Sequence, residues 1–178
     1  MHSVLDICVG RTARVVVIAA LASLFMNTTP TAHAKSTWLK VRGAAGQELS
    51  VLSPGPIPVS GTTLTVRGRA FDETVGIYVA LCVLRGANKA PTPCGGGVDK
   101  TGSSHASVWV SSNPPPYGVG LATPFGIDGK FTVKLRVGPV IGKYDCRKVR
   151  CAVVTKADHT NPDFRGADVS VPLTFKRR

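Results

Sequence analysis

The chain has 178 residues, a net charge of +12 and a pI near 10.0. An excess of 22 Lys and Arg over 10 Asp and Glu favours anionic partners through long-range attraction. Aromatic residues, at 6%, are too few for a base-stacking surface, which argues against sequence-specific nucleic-acid recognition.

Residues 1–34 have the make-up of a secretory signal. Arg11 and Arg14 flank an apolar run from Val15 to Met26, too short to span a bilayer. Asn27-Thr28-Thr29-Pro30 follows, then Ala32-His33-Ala34, the small-x-small pattern read by a signal peptidase. Cleavage there predicts a mature chain from Lys35. It removes Arg11, Arg14 and Asp6, so the mature charge is +11. Cys8 leaves with the signal, and four cysteines remain. No second long apolar segment exists, so the mature protein is expected outside the cytoplasm, released or held non-covalently at the cell wall.

The remaining length suits one domain with a real core. Residues 35–47 are expected as a linker or an extra edge strand, since Trp38, Leu39 and Val41 are apolar. From 48 onward no stretch carries a helical period. Gly (19) and Pro (13) recur throughout and mark turns. Alternation with a period of two recurs instead. It predicts strands over 48–53, 62–70, 76–84, 106–110, 130–137, 149–156 and 168–175. In 62–70, Leu64, Val66 and Gly68 face one way while Thr63, Thr65, Arg67 and Arg69 face the other. In 130–137, Phe131, Val133, Leu135 and Val137 alternate with Lys130, Thr132, Lys134 and Arg136. Residues 76–84 are nearly all apolar, as in a central strand covered on both faces. Pro172 falls on the outward face of the last strand, which suits an edge. About seven such strands predict an antiparallel β-sandwich over 48–175, with 176–178 as a basic tail. A monomer is expected.

Cys82 and Cys94 are 12 residues apart, and Cys146 and Cys151 are 5 apart. Four cysteines allow three pairings. The two local ones each close a loop without crossing a sheet, and they are the expected disulfides. Zinc would want tighter C-x₂₋₄-C pairs. No metal or cofactor is expected.

The order of strands and cysteines resembles the neocarzinostatin family of actinobacterial secreted proteins. The resemblance covers about residues 48–175. Gly61–Gly68 is similar to the family's second strand, and Gly76–Cys82 followed by Cys94 to its first cystine. The stretch Asp145-Cys146-Arg147-Lys148-Val149-Arg150-Cys151-Ala152-Val153 is similar to its second cystine loop, and Val169–Phe175 to its last strand. The resemblance implies an immunoglobulin-like sandwich of about seven strands with a side cleft, and a carrier that holds a hydrophobic small molecule there. In the family, positions just after the counterparts of Cys82 and Cys151 border the cleft. Here they include Val83, Leu84, Val154 and Lys156. The chain departs from those carriers in its basic charge and in a long Pro/Gly-rich segment, 111–129.

That segment is longer than most loops of compact domains, and such loops are often functional. Tyr117, Leu121 and Phe125 are apolar groups along it, next to the stiff Pro114–Pro116 run. With Leu84, Val154 and Lys156 they form the expected ligand set. The other reading is a loop folded over the core. Asp158, Asn161 and Asp163 fall short of the six to eight oxygens that calcium takes, so 158–163 reads as a polar turn. His105 and His159 lack a recognisable nucleophile motif, and no enzymatic activity is expected. The sequence thus leads to a secreted, non-enzymatic binding module. The alternative is a basic envelope-interaction protein with no small ligand, drawn to anionic wall polymers.

Overall fold

The computed structural model describes residues 35–86, 89–97 and 101–177. The expected leader (1–34) and Arg178 of the tail lie outside the described residues. Among the described residues, ten strands run in the order β1 (Thr37–Arg42), β2 (Glu48–Ser53), β3 (Thr62–Arg69), β4 (Ile77–Val83), β5 (Ser107–Val110), β6 (Phe131–Val137), β7 (Val140–Ile141), β8 (Tyr144–Asp145), β9 (Cys151–Ala157) and β10 (Val169–Leu173). Among the described residues, the helical structure is one 3₁₀ turn at Pro116–Gly118. None of their helices is long and apolar enough to cross a membrane.

Two four-stranded sheets form, ordered β1-β2-β3-β6 and β10-β9-β4-β5, and every pairing in them is antiparallel. The alternation that marks each strand also decides its buried face. Leu49 and Val51, Leu64 and Val66, and Val133 and Leu135 point into the core from the first sheet. Ile77, Val79 and Leu81, Val153, and Val169 and Val171 point in from the second. These apolar faces meet to form the core, which is why two amphipathic sheets stack as a sandwich. The strand order is that of an immunoglobulin-like sandwich with one further edge strand, β1. Pro172 is exposed on β10, at the sheet edge where a missing N–H breaks no ladder.

Both local disulfides are formed, Cys82–Cys94 and Cys146–Cys151. The Cys82–Cys94 bridge does more than close a loop. β5 pairs with β4 only from Ile77 to Ala80. Beyond that point the segment 92–95 takes over the free edge of β4, through Thr92 N–H to Val83 O, Val83 N–H to Pro93 O and Gly95 N–H to Leu81 O at 3.0, 3.0 and 2.7 Å. The covalent bond pins that second partner in place.

The 111–129 segment divides between both of its readings. Its C-terminal part closes the core: Ser111 N–H bonds Thr123 O at 2.9 Å, and Phe125, 8% exposed, packs against Phe71 and Phe131. Its N-terminal part carries the 3₁₀ turn and the exposed Tyr117.

Candidate functional site

The outer face of the β10-β9-β4-β5 sheet holds the candidate site. Register places Trp109 opposite Tyr78, and Tyr78 opposite Lys156. Asp168, one residue before β10, stands next to Lys156, whose charge acts on its carboxyl. One row therefore runs across the sheet as Asp168, Lys156, Tyr78, Trp109. The row beside it is Ser170, Val154, Ala80, Ser107.

At the Trp109 end the row joins an aromatic cluster. His159 lies between two phenols, with Tyr78 at 2.5 Å from Nδ1 and Tyr117 at 2.7 Å from Nε2. A neutral imidazole accepts from one hydroxyl and donates to the other, so the ring is held from both sides. Trp109 packs edge-on to His159 at 5.1 Å between centroids, and Tyr117 stacks on Trp109 at 6.5 Å. Beneath them Asp158, 1% exposed, is the anchor. Its Oδ2 accepts the Trp109 indole N–H at 2.7 Å, and its Oδ1 accepts the Thr160 N–H and hydroxyl at 2.8 and 2.6 Å. Two glycines make the packing possible. A Cβ on Gly76 would run into the Asp158 carboxylate, and one on Gly118 into the Trp109 ring. Burial and the nearby Asp158 charge raise the Tyr78 phenol above its usual value.

At the other end a cleft of about 420 Å³ opens between 84–86 and 89–91 on one side and 165–170 on the other. Leu84, Pro91, Lys89, Arg165, Asp168 and Ser170 line it. Asp168 Oδ2 pairs with Arg165, while Asp168 Oδ1 is buried and has no hydrogen-bond partner among the described residues. Desolvation raises the Asp168 carboxyl above the usual carboxylate range, against the opposing pull of Arg165 and Lys156. An acceptor left this way costs about 1–3 kcal/mol unless a donor reaches it. A second cavity, of about 580 Å³, lies near Phe71, Glu73, Asp128 and Phe164. Gln47 Oε1 beside it, without a partner among the described residues, belongs to a residue sealed from solvent.

The expected ligand residues are not all brought together. Leu84 lines the cleft, and Lys156 stands in the row that leads to it. Val154 is 0% exposed, packed with Ala80, Cys82 and Leu84 under the disulfide. Tyr117 belongs to the aromatic cluster at the far end of the face. Leu121 is exposed on the loop, and Phe125 is in the core. Tyr78, Trp109, Asp158, Arg165 and Asp168 are not recognisable from sequence as partners on one face. The missing signal was register: Tyr78 and Trp109 become neighbours only once β4 and β5 are paired. Among the described residues, no group of His, Cys, Asp and Glu is placed to hold a metal ion.

No protein-family model matches the chain, and no curated protein matches it. Among solved structures, that of macromomycin is similar, at 16% identity and a TM-score of 0.42, over 80% of this chain and 100% of that chain.

Proposed function

We propose that this protein is an exported, non-enzymatic binding module. Its ligand is a small molecule with an apolar body and a hydroxyl or N–H donor, held in the cleft beside Leu84 and Asp168. The observation that carries this reading is Asp168 Oδ1, a buried acceptor with no donor among the described residues, on a side chain that lines an open cleft. A ligand donor would relieve its desolvation, while Leu84 and Pro91 would take the apolar part. Export agrees with the expected leader and with two disulfides, which persist in oxidising compartments.

The test is a native mass spectrum of the mature protein taken from its own culture medium, with Leu84→Arg alongside. The expected wild-type spectrum carries a non-covalent added mass that denaturation removes and the variant lacks. Bare wild-type protein, with no thermal shift from any apolar donor-bearing compound screened, would overturn the reading.

A further inference from the structure

The opposite outer face of the sandwich carries a charge pattern unrelated to the cleft. In the β1-β2-β3-β6 sheet, residues opposite one another on paired strands share a face. Lys40 is opposite Ser50, and Ser50 opposite Arg67. Arg42 is opposite Glu48, and Glu48 opposite Arg69. Thr65 is opposite Lys134, and Thr63 opposite Arg136. Their alternate neighbours are the core residues of these strands. Lys40, Arg42, Arg67, Arg69, Lys134 and Arg136 therefore stand together on the outer side, and all are exposed. Glu48 is the one carboxylate in these four strands, and it is held by Arg69 at 2.8 Å. Between the cations lie the hydroxyls of Thr63, Thr65 and Thr132. Lys134 Nζ reaches Thr65 Oγ1 at 2.8 Å.

We propose that this face binds a flexible phosphodiester polymer that carries no bases, a polyol-phosphate chain. Four of the cations are arginines, whose forked donors match phosphate oxygens in pairs. Strands about 4.8 Å apart, with same-face residues about 7 Å apart along each, set the cations at short intervals in two directions. Three features select the polymer. The ring on this face, Trp38, is covered by the Arg67 guanidinium at 4.5 Å, so no free aromatic surface is offered to a base. A duplex is a stiff cylinder and would touch a broad sheet along one strip, reaching only part of the array. A bilayer is planar, whereas adjacent strands twist by about 20–25° and carry the corners of a four-stranded sheet out of plane. None of the exposed large apolar side chains lies on these strands to enter a membrane. A flexible chain follows the twist and meets every cation.

The test measures binding of the mature protein to poly(glycerol phosphate) across a salt series. Duplex DNA, poly-glutamate and vesicles with anionic lipid are the comparison arms, at matched charge. The expected result is at least tenfold tighter binding to poly(glycerol phosphate) than to any other arm. The log–log salt slope should be about −4, from roughly 0.7 per phosphate contact over six cations. The double variant Arg67→Glu/Lys134→Glu should weaken binding more than tenfold and flatten the slope by about 1.4, at the same roughly 0.7 per contact. Lys148→Glu/Arg150→Glu makes the same change in net charge on a turn away from this face, and should leave the slope unchanged. Both sites are exposed, so an unaltered thermal transition confirms folding. Equal loss in the two variants would reduce the effect to net charge and overturn the proposal. So would a preference for duplex, polycarboxylate or vesicles.

Discussion

At the scale of single residues, the aromatic cluster depends on one buried carboxylate. Asp158 is satisfied only because Trp109 presents its indole N–H and Thr160 offers both a backbone and a hydroxyl donor. Trp109→Phe keeps an aromatic ring but removes the donor to Oδ2 and leaves the acceptor buried. That costs about 1–3 kcal/mol, with some lost packing added. Urea unfolding at neutral pH should show the loss. A variant within about 0.5 kcal/mol of the parent would mean that Asp158 finds another partner, and that the Trp109 contact does not anchor the cluster. None of these links was legible in the sequence. Trp109 marks a strand, and Asp158 and His159 sit in a polar turn; only the pairing of β4 with β5 and β9 makes them neighbours.

At the scale of elements, the apolar pattern located all seven expected strands to within one or two residues, because each is long enough to show it, as alternation where one face is polar and as an unbroken apolar run in 76–84, where both faces are covered. It failed where that condition fails. β7 and β8 have two residues each and too little length to show a period. Residues 35–47 read equally as linker or strand because the outward Trp38 breaks the apolar–polar pattern of β1, and the guanidinium that covers it comes from β3. The Cys146–Cys151 loop carries its own electrostatic brace. Asp145 accepts the Arg147 backbone N–H at 3.0 Å and its guanidinium through both oxygens at 2.8 Å. The Arg147 contacts hold the Asp145 carboxyl down at about 2, from an ordinary 3.8. A depressed carboxylate contributes stability that is present above its unfolded value and lost as pH falls through the folded one. The contribution should therefore fade between pH 3.8 and about 2. In Asp145→Asn this part of the acid dependence should vanish, so the parent and variant stability curves converge across that window. Curves that stay parallel from pH 5 to pH 2 would rule out the brace.

At the scale of the whole molecule, the two sheets share a core but present opposite chemistries outward. One face carries aromatics and a cleft, the other a lattice of cations. Those cations look scattered in the sequence, yet the outward halves of 62–70 and 130–137 were each legible; what was not legible was that β3 and β6 pair and add their charges. Such an array strains the fold in the absence of a partner. Lys40 with Arg42, Arg67 with Arg69, and Lys134 with Arg136 are same-face neighbours about 7 Å apart along their strands. In water each such pair repels by about 0.6 kcal/mol. A Debye length of about 8 Å at physiological ionic strength screens more than half of that. At 10 mM the Debye length is about 30 Å and already screens about a fifth, so relief over three pairs between 10 mM and 150 mM is about 0.7 kcal/mol, which a domain of this size converts to a rise of about 1–3 °C in Tm. The melting temperature should therefore climb between 10 mM and 150 mM sodium chloride. Lys134→Glu turns one repulsion into an attraction, and should melt higher than the parent at low salt with a weaker salt dependence. A parent Tm that falls with added salt would show that ion pairs such as Arg69–Glu48 dominate the surface. The cationic face would then be held at no cost that a bound polyanion could relieve.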